Sequence, residues 1–180
     1  MKKKSNIIEL KPLGELMKSK DRFDIFLAGS IENGKAEEWQ KAFKDEIMKM
    51  RPQPSVGLFN PRRENWDPSW GDDNPELVKQ IQWEISHLEK ADLIVMYLQP
   101  GTISPISLLE LGLFANAVYK CEKQMIVLCP KGFGKKTNVD VTCEHYDISM
   151  AKDMKELIAK TKIRIRDHFA PKSKKLKFYK

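Results

Sequence analysis

Glu110 is the residue whose surroundings most invite chemistry. It lies in SPISLLELGLFANAV, a nearly all-apolar segment with the pattern of a helix, where Leu108, Leu109, Leu111 and Leu113 leave little polar face for a carboxylate. Burying an ionised group without a task costs free energy, and in the first half of a helix the backbone dipole favours an anion. A second carboxylate, Glu84, projects between Leu77, Ile81 and Leu88 at about 100° per residue, on the face of a neighbouring helix expected to bury against the sheet. The plain alternatives are a Glu110 turned to solvent or paired with a lysine, and a Glu84 snorkelling or salt-bridged at the rim of its helix. Two carboxylates on adjacent helices of one sheet suit glycosidic chemistry, one attacking the anomeric carbon while the other manages a proton or a hydroxyl.

Three loops carry the remaining candidates. GSIENG offers Gly29, Ser30, Ile31 and Gly34 ahead of a helix, a cradle for an anion or a ribose and by itself a weak signal. Arg62 and Arg63 follow Asn60 and Pro61, where a guanidinium fork could hold a phosphate or carboxylate or make structural contacts only. Trp66 and Trp70 in the same loop could stack on a base or lid the core. His87, His145 and His168 are scattered without ligand spacing, so no metal site is expected. Cys121, Cys129 and Cys143 form no CxxC pair, and the odd number opposes a full disulfide framework; reduced, neutral thiols are expected.

The elements that must position these groups alternate along the chain. FDIFLAG (Phe23 to Gly29) reads as a strand, followed by a helix with Trp39, Phe43 and Ile47 on one face; SVGLFN is a second strand leading into the polar, aromatic PRRENWDPSWGDD loop. Asn74 as N-cap and Pro75 at the first helical position start a helix to about Ala91, and DLIVMYL is a fully apolar strand. QPGT turns the chain, Ser104 and Pro105 cap a helix to about Tyr119, and MIVLCP is the next buried strand. A weak strand is expected near VDVTC, then an amphipathic helix from about Met150 to Phe169 with Met154, Leu157, Ile158 and Ile165 on one side. Apolar strands separated by single helices imply a doubly wound α/β domain with a parallel, flavodoxin- or Rossmann-like sheet, in which ligands bind beyond the carboxyl ends of the strands.

The chain of 180 residues fits a single domain, read here as residues 21–170 between a basic N-terminal extension (1–20) and a basic C-terminal tail (171–180). The net charge of +7 invites nucleic acid, but much of the excess sits in MKKK and KSKKLKFYK, which read as solvated tails; dedicated nucleic-acid binding is not expected. The apolar runs are too short for a bilayer and the N-terminus lacks a signal-peptide core, so a soluble, cytoplasmic protein without membrane contact is expected.

FLAGSI, LFNPRR, QWEISHLEKADLIVMYL and above all PGTISPISLLELGLFA resemble the nucleoside 2-deoxyribosyltransferase family over about Phe23 to Pro130. The resemblance implies Glu110 as the nucleophile that forms a covalent deoxyribosyl intermediate, and Glu84 where the family usually has an aspartate that helps protonate the leaving base. It implies binding of the substrate by Gly29, Ser30, Ile31, Asn60, Arg62, Arg63, Trp66, Gly101, Thr102 and Ser104, the last standing where well-known members carry a sugar-binding aspartate. It further implies a homo-oligomer acting on deoxynucleosides or deoxynucleotides and nucleobases, in salvage, with no cofactor. GSI is also similar to the phosphate-binding loop of related deoxynucleoside 5'-monophosphate N-glycosidases, which hydrolyse rather than transfer. Transferase, hydrolase and non-catalytic nucleotide sensor are therefore the three functions to be separated.

Overall fold

The structure, a computed structural model, describes residues 6–31, 36–51, 54–63 and 74–171. Among these residues six strands, β1 (Ile7–Leu10), β2 (Phe23–Gly29), β3 (Val56–Phe59), β4 (Leu93–Tyr97), β5 (Gln124–Leu128) and β6 (Ser149–Ala151), form one sheet in the order β1-β3-β2-β4-β5-β6. All five pairings are parallel. Without β1 the order is that of a flavodoxin-like sheet, and the direction of winding reverses between β2 and β4.

Among the described residues five helices cover the sheet: α1 (Trp39–Met48), α2 (Pro75–Lys90), α3 (Pro105–Tyr119), α4 (Lys136–His145) and α5 (Met154–Phe169). Because strand side chains alternate, Phe26, Ala28, Ile94, Met96 and Val127 meet α2, α3 and α4 on one face. Ile25, Leu27, Val95, Ile126 and Leu128 meet α1 and α5 on the other. Trp39, Phe43 and Ile47 form the buried stripe of α1, as their spacing implies. Asn74 caps α2, its Oδ1 accepting from the amides of Glu76 (2.8 Å) and Leu77 (3.4 Å), with Pro75 at N1 as expected.

Four sequence expectations need correction. VDVTC is helical: Val139 and Cys143, four residues apart, both point into the core, and this packing overrides the strand preference of β-branched residues. The last helix starts at Met154 rather than Met150, because residues 149–151 pair with β5 and Asp153 caps the helix through the Glu156 amide (2.7 Å). Ser104 precedes α3 but does not cap it; at φ 46° it is left-handed, and its hydroxyl turns to other partners. On α2 the stripe buried against the sheet is Gln80, Trp83, His87 and Leu88, so Glu84 faces sideways toward α3.

A strand that the sequence pattern did not announce, β1, lies at the edge of the sheet beside β3. Cys121 is exposed, while Cys129 and Cys143 are buried and burial pushes their thiols up to about 11 and about 12, which keeps both neutral. No helix among the described residues is long and apolar enough to cross a membrane.

Candidate active site

A cavity of about 620 Å³ opens where α2 and α3 diverge over the carboxyl end of β2. Its floor is Ala28 and Gly29, one wall is Leu77, Gln80, Ile81, Glu84 and Leu88 of α2, and the other is Ser104, Ser107, Leu109, Glu110 and Leu113. This is the switch point of the sheet, the place where doubly wound folds bind ligands. Gly29 is required there: at φ +128° it runs so close to β4 that a Cβ would fall 2.2 Å from the Tyr97 carbonyl oxygen.

The two carboxylates face this space from opposite helices. Burial raises the Glu110 pKa to about 8, and the neighbouring Glu84 charge adds to the rise. Burial also raises Glu84, opposed by a hydrogen bond from Gln80 Nε2 to its Oε1 (2.8 Å) and by the charge of Arg63. At neutral pH Glu110 is therefore mostly protonated, and a second carboxyl with a raised pKa stands beside it. Such a pair can serve as nucleophile and proton shuttle once the first group ionises.

Beside the carboxylates is a triangle of hydroxyls. Ser30 Oγ lies 2.6 Å from Ser104 Oγ and 2.7 Å from Thr102 Oγ1, and the latter two are 3.0 Å apart. Backbone groups hold the triangle in place: the Gln99 amide donates to Ser30 Oγ (2.9 Å), and Thr102 Oγ1 donates to the Gln99 carbonyl (2.8 Å). The left-handed Ser104 is what turns its hydroxyl into this cluster at the start of α3.

Of the residues singled out in the sequence, Glu84, Glu110, Gly29, Ile31 and Ser104 line the cavity, and Ser30 and Thr102 join it through the hydroxyl triangle. Gly101 is turned away, its amide donating to the Gly132 carbonyl (3.0 Å) in the loop after β5. Asn60 is buried and committed to protein groups, and its neighbour Pro61 forms the wall instead. Arg62 Nη2 donates to the Ala36 carbonyl (2.9 Å), while Arg63 acts on Glu84 by charge. Trp66, Trp70 and Gly34 lie outside the described residues. Gln80, whose spacing of four from Glu84 on one helix is the legible signal, was not among the sequence candidates.

A doubly wound α/β domain with a carboxylate pair and a hydroxyl cluster at its switch point defines a class of small-molecule site. The chain belongs to the nucleoside 2-deoxyribosyltransferase-like family, whose model matches residues 22–133. Among solved structures, a conserved protein from Enterococcus faecalis V583 is similar at 15% identity and TM-score 0.56, over 79% of this chain and 99% of that one. The CMP N-glycosidase BcmB of Clostridium botulinum is similar at 16% identity and TM-score 0.43, over 78% of this chain and 98% of that one. No curated protein matches the sequence.

Proposed function

We propose that the protein cleaves the N-glycosidic bond of 2'-deoxyribonucleosides through a covalent deoxyribosyl ester on Glu110 and transfers the sugar to another base. The observation that carries this reading is the desolvated Glu110 beside Glu84 in one cavity at the ligand edge of the sheet. The ionised Glu110 oxygen bonds to C1' as the C1'–N bond breaks, and the bond's electron pair leaves with the base, which takes a proton from Glu84 or from water. A second base then attacks C1', releases Glu110 and returns a proton. No metal or organic cofactor takes part in these steps.

The hydroxyl triangle favours a second reading, hydrolysis of deoxynucleoside 5'-monophosphates. Ser30, Thr102 and Ser104 gather three hydroxyls near the N-terminus of α3, a place suited to a phosphate, with Arg62 and Arg63 on the adjoining loop. The site acts in the cytoplasm on small molecules. A second copy of the chain covers the exposed apolar side chains Ile81 and Ile85 of α2 and Ile106, Leu109 and Leu113 of α3 at the cavity mouth. Sedimentation at micromolar concentration is expected to show an oligomer that Leu109→Arg converts to monomer.

Incubation with each deoxynucleoside and deoxynucleotide, with and without an acceptor base, followed by chromatography of the products, separates the readings. Exchanged nucleoside means transfer, and free base with sugar or sugar phosphate means hydrolysis. Binding without either product leaves the non-catalytic sensor.

A further inference from the structure

The family match begins at residue 22, yet the sheet begins at Ile7. The segment ahead of the shared region makes polar contacts that lead to the back of the cavity. Glu9 on β1 accepts from Asn60 Nδ2 on one carboxylate oxygen (2.8 Å) and from Lys44 Nζ of α1 on the other (2.6 Å). Burial alone would raise the Glu9 pKa, but the hydrogen bonds from Lys44 and Asn60 hold it below the ordinary carboxylate value, so the anchor stays charged. The Asn60 amide donates to the Leu10 carbonyl (2.9 Å), and its Oδ1 accepts from the Arg62 amide (3.1 Å). Asn60 is thus fixed at both ends, and with it the path of Pro61 out of β3.

The Pro61 carbonyl accepts from Gln80 Nε2 (3.4 Å), the same nitrogen that donates to Glu84 Oε1. A primary amide has two protons, and here one serves the loop and the other the carboxylate. A second route reaches the same turn of α2: the Trp83 indole Nε1 donates to the Gly14 carbonyl (2.7 Å), and Trp83 adjoins Glu84 in sequence. Leu10 and Leu16 pack against the cluster that contains Trp83. Covering the open edge of β3 needs only the main-chain pairing of β1, so these side-chain routes call for another reason.

We infer that the segment from Glu9 to Gly14 positions the catalytic pair: through Asn60, Pro61 and Gln80 on one side, and through Trp83 on the other, it fixes the Glu84 carboxylate against Glu110. The inference rests on the reading of Glu84 and Glu110 as the reacting groups. Glu9 touches no substrate and acts entirely through its partners. When Glu9 is removed, Asn60 and Pro61 relax, Gln80 loses its second anchor, and Glu84 is free to turn away from Glu110.

The test compares Glu9→Ala, Glu9→Gln and Ile8→Ala in the full chain. Ile8→Ala trims a side chain that is 43% exposed on the same strand and breaks none of these links, so it controls for simple weakening of β1. Carbon-13 titration of the glutamate carboxyls by NMR, assigned with Glu84→Gln and Glu110→Gln, reads the pair directly; kcat and KM for base release are measured beside it. In the wild type Glu110 is expected to titrate at about 8. In Glu9→Ala it is expected to fall below the wild-type value, because water enters and the Glu84 charge withdraws. The expected fall in kcat is about ten-fold with KM little changed, a fraction of the ~100-fold that a displacement of 1 Å can cause. Glu9→Gln keeps an acceptor for Asn60 and recovers most of both values, while Ile8→Ala alters thermal stability alone.

A folded Glu9→Ala with the wild-type titration and kcat overturns the inference. A shifted titration in a protein whose wild type releases no base upholds the positioning role and removes the N-glycosidic reading instead. If circular dichroism shows Glu9→Ala unfolded, Trp83→Phe carries the same test, since it keeps an aromatic ring in the core and loses the donor to Gly14. An unchanged Glu110 titration in that variant also overturns the inference.

Discussion

The two ends of β2 treat buried charge in opposite ways. At the amino end Asp24 is wholly buried and fully paired: Arg22 Nε and Nη2 donate to its two oxygens at 2.6 and 3.2 Å, and Lys18 lies 3.5 Å away. Lys18 also pairs with Asp92 (2.7 Å), whose carboxylate accepts from the Asp24 amide (2.8 Å). Even the opposing residue of β3 makes room, since a Cβ at Gly57 would fall 2.4 Å from Asp24 Oδ1. At the carboxyl end Glu110 and Glu84 share one cavity, where the charge of Glu84 opposes ionisation of Glu110; among the described residues the Gln80 amide and the charge of Arg63 ease Glu84. Paired charge fixes the fold; unpaired like charge destabilises it and leaves a group ready to react.

Substitutions at the two ends should therefore separate activity from stability. The largest expected effect is on turnover: Glu110→Gln should lower kcat by about 1,000-fold or more, as loss of a covalent nucleophile does, while the protein stays folded. Next is Asp24→Ala, which strands the buried Arg22 and should cost about 3–5 kcal/mol in chemical denaturation, with kcat kept at temperatures where the variant is folded. A smaller effect follows from pH. Glu110 must ionise, and burial raises its pKa to about 8, so kcat/KM should rise roughly five-fold from pH 7 to pH 8, nearly double again by about pH 9 and then level off. Glu84→Gln removes the like charge and should move this limb to lower pH.

The smallest effect is on stability at the cavity end. The folded pKa of Glu110 lies above its unfolded value, so between pH 4.5 and about 8 the folded chain binds a proton that the unfolded chain has lost, and stability falls as pH rises through that window. Glu110→Gln removes this liability. It should raise the melting temperature by roughly 2–4 °C for each kcal/mol recovered, more at pH 9 than at pH 5. Equal melting temperatures across that range would place Glu110 in water.

What the sequence made legible was local. The runs FDIFLAG and DLIVMYL, the spacing of Trp39, Phe43 and Ile47, and the Asn74-Pro75 start of α2 each state their structure within a few residues. The likeness around Glu110 brought both carboxylates to one site before any geometry was known. Other features depend on partners far along the chain. Ile7–Leu10 looks like part of a lysine-rich tail and becomes a strand only because β3, some fifty residues away, accepts it in parallel register. Val139 and Cys143 are helical because the core beside α3 receives both. The route from Glu9 to Asn60 and from Pro61 to Gln80 joins segments that no periodicity connects; only its last link, Gln80 to Glu84, has a helical spacing.

The central claim is that Glu110 bonds to the sugar, and intact-protein mass spectrometry after rapid acid quench tests it most directly. With a deoxynucleoside as donor and no acceptor base, the wild-type chain should carry one added deoxyribosyl group, located by proteolysis on the peptide containing Glu110, and Glu110→Gln should carry none. Base release by the wild type without any such adduct, or an adduct that persists in Glu110→Gln, would contradict the account.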